Sequence, residues 1–262
     1  MTYRNGGLVE STPRGGLAGW SVIGLTAQAA LLAMLDATVG LGVAGWLAGI
    51  GFAVVTSALL GKALFRAGAA GLGPADVVTS ARAILVGGVA ALVTDAVTGP
   101  APVRVVITLT VAALLLDAVD GRVARRTGTA SALGARFDME VDAFLILVLS
   151  IDLVRPLGSW VVAIGAMRYA FVLAGRSLPW LTAALPDRYS RKVVAAVQGI
   201  VLVAAVTGVL PAGLATGCVA AGLVLLCWSF GRDVVWLSRA RRRPQLSSLL
   251  PVRAGHEQQL AA

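Results

Sequence analysis

Runs of apolar residues about twenty long recur down this chain, and about twenty is the number a helix needs to cross the hydrocarbon of a bilayer. The criterion gives eight candidate helices, at about 17–35, 38–61, 77–97, 103–120, 136–154, 157–175, 192–210 and 213–236. Inside lipid every backbone N–H and C=O must be satisfied within the chain, which for segments of this length means helix. The expected fold is therefore all-α: a polytopic membrane helix bundle of about eight transmembrane helices. Composition removes the soluble alternative, because 58% hydrophobic and 13% charged residues with a mean hydropathy of +0.85 exceed what a soluble domain carries.

The charges that remain are uneven. Lys and Arg number 22 against 13 Asp and Glu, a net of +9. Arg104 and Arg155 are the basic residues near one set of loops, whereas Lys62, Arg66, Arg122, Arg125, Arg126, Arg188, Arg191, Lys192 and Arg239 to Arg243 fall on the other side. The positive-inside rule puts that second side, with both termini, in the cytoplasm of a cell (inner) membrane protein. Such an excess suits anionic lipid head groups or a phosphorylated substrate, and a nucleic-acid partner is not expected.

Residues 62–75, with Lys62, Arg66 and Pro74, read as a short interfacial helix ending in a turn. The expected organisation is a tail and two extra transmembrane helices over 1–62, a linker over 63–75, a six-helix core over 76–238 and a basic, disordered cytoplasmic tail over 239–262. Arg14 precedes the first apolar run, which has no convincing small-residue cleavage site and reads as a retained span. Cys218 and Cys227 lie together in one apolar stretch and read as small packing residues. The one histidine, His256, sits in the polar tail, which excludes histidine-based catalysis and His-containing zinc sites. Chemistry here has to use carboxylates, cations and hydroxyls.

Four aspartates meet that requirement. Asp117 and Asp120 are three residues apart and Asp138 and Asp142 four, so each pair projects from one face of its own helix. A turn over Thr127 to Leu133, with Gly128, Thr129 and Ser131, is expected to fold the two helices antiparallel, so that four carboxylates aim at one point. Carboxylates at the edge of an apolar segment are costly unless cations compensate them. Oxygen-only ligands suit hard divalent ions. Gly121 and Gly134 leave room for a ligand, and Arg125 offers a forked donor for phosphate.

These residues resemble the signature of the CDP-alcohol phosphatidyltransferase family, D-x-x-D-G-x-x-A-R, eight residues, then G-x-x-x-D-x-x-x-D. Every position matches, at Asp117, Asp120, Gly121, Ala124, Arg125, Gly134, Asp138 and Asp142. The resemblance covers the six spans from about Asp76 onward. It implies transfer of a phosphatidyl group from CDP-diacylglycerol to a small alcohol acceptor with release of CMP, in membrane lipid, by a homodimer. It further implies two divalent ions, Mg²⁺ or Mn²⁺, held by Asp117, Asp120, Asp138 and Asp142, with Asp142 also the catalytic base toward the acceptor hydroxyl. Asp120, Gly121, Ala124, Arg125 and Ser131 would contact the CDP group. A second stretch, Pro74-Ala75-Asp76-Val77-Val78-Thr79-Ser80-Ala81-Arg82, is similar to the family's P-N-x-x-T-x-x-R entry to its first core helix, with Asp76 where Asn is usual. Asp76 reads as a helix N-cap, and Thr79 and Arg82, one turn apart, as further CDP contacts.

A third group bears on the acceptor. Arg168 and Arg176 flank one span and Arg191 and Lys192 open the next, with Gln198 beyond, a set of cations fit for a phosphorylated polyol. The spacing is similar to that of phosphatidylglycerophosphate synthases, with Tyr169 in place of a Glu and Ala195 in place of a Thr. Glycerol 3-phosphate is the leading acceptor, with inositol phosphate or another alcohol as alternatives. Gly40-Leu41-Gly42-Val43-Ala44-Gly45 fits G-x-G-x-x-G but follows no strand, so it reads as a helix-packing motif within a span. From other classes, a divalent-cation transporter would use the same carboxylates, but at mid-membrane and without an adjacent arginine. A silent scaffold would have no need of the signature.

Overall fold

The computed structural model describes residues 15–67, 74–100, 102–127, 132–183, 185 and 189–242. Side chains at 15–18, 20, 67, 74, 75, 120–127, 132, 133, 189 and 242 lie outside the description. Among the described residues regular structure is helical throughout, with eight long helices: α1 (Gly15–Val39), α2 (Val43–Ala67), α3 (Pro74–Asp95), α4 (Val103–Thr127), α5 (Ala132–Asp152), α6 (Val162–Ser177), α7 (Tyr189–Val206) and α8 (Ala212–Arg242). They correspond one for one with the eight apolar runs. Four of them hold stretches long and apolar enough to cross a membrane, Ser21–Val39, Val43–Arg66, Asp76–Asp95 and Ala212–Arg241. The protein is an all-α polytopic membrane protein.

The centre of the bundle is α3, which packs against α1, α2, α4 and α5. Its middle is buried on every side, from Val86 through Val93, and small residues there make the crowding sterically feasible. A Cβ at Gly87 would lie 2.6 Å from Oε1 of Gln28, and one at Gly88 3.0 Å from Leu31 and 3.3 Å from Leu109. Leu32 and Leu35 of α1 join Val89 and Leu92 of α3, Val106 of α4 and Val148 and Leu149 of α5 in one apolar core. On the far side of α5, α6 packs closely and α7 follows, with α8 antiparallel to α7.

Three expectations change. The sequence predicts α4 and α5 as direct neighbours, yet the broad packing partner of both is α3, and among the described residues α4 and α5 share no comparable face. Second, Gly40 to Gly42 form the turn between α1 and α2 rather than lying within a span, with Gly40 at φ +74° where a side chain would be strained. The packing role survives one turn later, because a Cβ at Gly45 would come within 2.9 Å of the Ala91 carbonyl oxygen. Third, helix continues past the apolar limits: α2 through Lys62 and Arg66 to Ala67, α4 to Thr127, and α8 through Arg239 to Arg242. Hydropathy marks where lipid ends, not where hydrogen bonding does, so polar turns that prolong a helix escape it. Linker residues 68–73, the turn at 128–131 and the tail from 243 lie outside the described residues.

Candidate active site

The site lies where the first half of α3, the middle of α4 and the first half of α5 come together. Pro74 opens α3, its ring suited to a first turn that needs no N–H there, so Asp76 is the third residue of the helix and not its cap. An acid in the first turn is still favoured there by the helix dipole. Thr79 and Arg82 follow on the same face, both buried.

Arg82 is 1% exposed, the largest fully buried side chain described. One terminal nitrogen, Nη1, pairs with Asp117 of α4. The other, Nη2, pairs with Asp138, donates to the Asp138 carbonyl at 3.0 Å and lies 3.3 Å from Asp142. A planar fork is the one basic group that can bridge two helices in this way. Arg82 was expected at the nucleotide; here it stands among the aspartates, because α3 sits between the two helices that bear them.

Around that guanidinium, Asp117, Asp138 and Asp142 each bring a carboxylate oxygen within 4.8 Å of the others. Like charges at such a distance repel by about 3 kcal/mol at an effective dielectric of about 20. One arginine against three carboxylates leaves the group net anionic. All donors are oxygen, and the three side chains are 35–42% exposed, so a solvated cation can enter. The donor set fits a hard divalent ion. Asp120 follows Asp117 by three residues on the same helix, and its side chain lies outside the description, as do those of Gly121, Ala124 and Arg125; Ser131 falls wholly outside it.

The order of acids on α5 separates two functions. Asp138 and Asp142 are four residues apart and share the face toward α3, while Glu140 turns away and pairs with Arg168 of α6. Arg168 therefore already has a carboxylate partner, although Tyr169 occupies the neighbouring position where an acid was expected. Arg191 lies 3.7 Å from Asp233 of α8, which is itself buried, and Arg232 donates to Ser190 at 2.8 Å while stacking over Trp228. Arg176 and Lys192 are exposed. Gln198 is not part of this cationic group: it is buried between α7 and α8 and donates to the Gly222 carbonyl at 2.7 Å. Sequence reasoning missed Glu140, Ser190, Arg232 and Asp233. For Glu140 a signal existed, an acid offset by two from the signature aspartates; for the others only the α7–α8 pairing brings them together.

Residues 73–229 match the family described as CDP-alcohol phosphatidyltransferase. The chain belongs to that family. The match takes in α3 to α7 and the first half of α8, including all three helices of the aspartate cluster, and begins after α2. Comparison with curated proteins and with solved structures returns no match. As a CDP-alcohol phosphatidyltransferase the protein is a membrane transferase of phospholipid synthesis, moving phosphatidyl groups between a CDP-alcohol and an alcohol acceptor. Family members generally use divalent metals, and the converged aspartates are a group able to hold one. Membership decides against the transporter and scaffold readings.

Proposed function

We propose that the protein transfers a phosphatidyl group from CDP-diacylglycerol to the hydroxyl of a phosphorylated polyol, glycerol 3-phosphate first among them, and releases CMP. The observation that carries this reading is the convergence of Asp117, Asp138 and Asp142 from two helices onto the guanidinium of a third. Asp117, Asp120, Asp138 and Asp142 would hold two divalent ions, Mg²⁺ or Mn²⁺. When bound, the ions neutralise the diphosphate and the charge on departing CMP.

The chain's own residues do the rest. Asp142 takes the proton of the acceptor hydroxyl as its oxygen bonds to the phosphatidyl phosphorus and the bond from that phosphorus to CMP breaks. Arg82 fixes the aspartates from behind. Thr79, Gly121, Ala124, Arg125 and Ser131, beside Asp120, are assigned to the CDP group. Arg168, Arg176, Arg191 and Lys192 are assigned to the acceptor's phosphate, with Glu140 and Asp233 orienting Arg168 and Arg191.

Topology supports a cytoplasmic site. The helix ends that share the aspartate side carry Lys62, Arg66, Arg176, Lys192, Arg239 and Arg241, whereas the opposite ends carry Arg104 and Arg155. Lipid tails can then stay in the bilayer while headgroup and water-soluble acceptor meet at the inner surface. The proposed unit is a homodimer in the cell membrane, with the catalytic core over 76–238. Inositol phosphate or another alcohol is the alternative acceptor.

The test is CMP release by purified protein given Mn²⁺, labelled CDP-diacylglycerol and a panel of alcohols. Turnover with glycerol 3-phosphate is expected, and Asp142→Asn should lower it by at least about 100-fold, the usual contribution of a positioned base. Turnover with inositol phosphate alone would transfer the proposal to the alternative; none with any acceptor would refute it.

A further inference from the structure

Three buried or half-buried arginines on the aspartate side are answered by carboxylates: Arg82 by the aspartate cluster, Arg168 by Glu140 and Arg191 by Asp233. A fourth, Arg232 of α8, is half-buried too, yet among the described residues it has no ion pair. Its partners are neutral. Nη2 donates to the hydroxyl of Ser190 in α7 at 2.8 Å, and the guanidinium carbon lies 4.6 Å from the centre of the Trp228 ring. Asp233, next in the chain, is turned to Arg191. A cation left without a counter-charge beside lipid is costly, so the arrangement calls for an anion from outside the chain.

Two donors remain to receive one. Among the described residues Arg232 Nη1 has no partner, and unlike Nε it is not enclosed. The Ser190 hydroxyl accepts from Arg232 and keeps its own proton for an acceptor. An arginine that only snorkels holds its charge in free water. This one is fixed between a ring and a hydroxyl where two helices meet, a geometry that suits one oxyanion in one place.

Position along the helix says where that oxyanion comes from. Leu225 and Trp228, 42% and 56% exposed, share a face of α8 with Arg232 at offsets of three and four. Counted from Ala212, where α8 begins on the opposite side, Trp228 and Arg232 are sixteen and twenty residues along, rises of about 24 and about 30 Å against a hydrocarbon thickness of about 30 Å. Trp228 therefore lies just inside the hydrocarbon boundary and Arg232 level with the lipid phosphates. We propose that Arg232, Ser190 and Trp228 form a site for the phosphate of an anionic phospholipid, seated where α7 and α8 meet and separate from the aspartate cluster. An acyl chain descends over Trp228 and Leu225. A zwitterionic headgroup is the poorer ligand, because its own cation competes with the guanidinium for the phosphate. Since Ser190 adjoins Arg191 and Arg232 adjoins Asp233, the bound lipid also braces the helix pair that positions Arg191. The site stands whatever alcohol the enzyme accepts.

The test uses the full chain in detergent with EDTA, titrated with phosphatidylglycerol or phosphatidylcholine, and bound lipid is counted by native mass spectrometry. The wild type is expected to favour phosphatidylglycerol about ten-fold, the scale of one hydrogen bond to a charged group. Arg232→Gln should abolish that preference, Ser190→Ala should reduce it about three-fold, and Arg239→Gln at the helix end should keep it. No preference in the wild type, a preference unchanged in Arg232→Gln, or an equal loss in Arg239→Gln, the mark of diffuse surface charge, overturns the assignment. Displacement of the lipid by inorganic phosphate or glycerol 3-phosphate also overturns it, because the site would then serve a soluble anion. A second measurement rests on the wild type and a conservative variant. In phosphatidylcholine nanodiscs, brominated phosphatidylglycerol should quench more tryptophan fluorescence than the same fraction of brominated phosphatidylcholine, and the difference should disappear in Trp228→Phe. Equal quenching by the two lipids, as when a second copy of the chain covers Trp228, or a difference that survives in Trp228→Phe, overturns the assignment as well.

Discussion

At the scale of single residues, the site is a problem of like charges solved with a buried cation. Asp117, Asp138 and Asp142 crowd together on the open side, and Arg82 meets all three from the closed side. Removing the buried guanidinium leaves three crowded carboxylates without their counter-charge, a loss that water moderates because each of them is more than a third exposed. Arg82→Met, which keeps the bulk and removes the charge, is therefore expected to lower the thermal midpoint of the detergent-solubilised protein in the absence of metal. Added Mn²⁺ should raise that midpoint by more than it does in the wild type, since a cation then replaces the missing guanidinium. Arg82→Lys should fall between, because one ammonium cannot span Asp117 and Asp138 as a fork does. Midpoints for Arg82→Met and wild type that coincide without metal would show that the guanidinium is not the counter-charge proposed here.

At the scale of helices, what the sequence announces and what it conceals divide along physical lines. Apolar runs announce helices, since lipid permits no other backbone for them, and all eight are found. The aspartates are announced too, by offsets of three and four that fit one helical face. What stays concealed is rotation and order of packing. Nothing in the residues around Arg82 says that α3 intervenes between α4 and α5, and nothing in Glu140 names Arg168 as its partner, because both are outcomes of how helices dock. Glycines set that docking at particular places. A Cβ at Gly165 of α6 would fall onto the backbone Cα of Leu147 in α5, closer than such atoms come, whereas one at Gly199 of α7 would meet nothing within 4 Å. Gly165→Ala must push α6 off α5, with an expected cost of about 1–3 kcal/mol. It should also weaken acceptor use, because Arg168 rides three residues further on α6 and would draw away from Glu140. Gly199→Ala should stay within about 0.5 kcal/mol of the wild type. Thermal midpoints and the KM for the acceptor read both variants, and equal behaviour of the two would show that the α5–α6 contact is not set by Gly165.

For the molecule as a whole, the question is whether the two N-terminal helices are an appendage to a self-sufficient core. The family match begins at residue 73, after α2, which invites that division. Packing opposes it. Leu32 and Leu35 of α1 are almost wholly buried within the same apolar core as α3, α4 and α5, and Leu31 and Leu35 cover a side of Gly88 that Leu109 of α4 alone would leave partly open. Gly45 and Gly49 of α2 approach α3 so closely that a Cβ at either would crowd Ala91, at 2.9 Å from its carbonyl oxygen and 3.3 Å from its own Cβ. In a bilayer, lipid tails are as apolar as leucine, so what holds such helices together is fit between surfaces, and a surface shaped around two glycines fits lipid poorly. Deleting residues 1–67 is accordingly expected to yield protein that does not remain monodisperse in detergent and shows no Mn²⁺-dependent thermal shift, rather than a smaller working transferase. The measurement is size-exclusion behaviour together with the metal-dependent shift. A monodisperse truncated protein that still responds to Mn²⁺ would show that the aspartate site is held by α3, α4 and α5 alone. In that event α1 and α2 would be additions to a finished fold rather than part of its core.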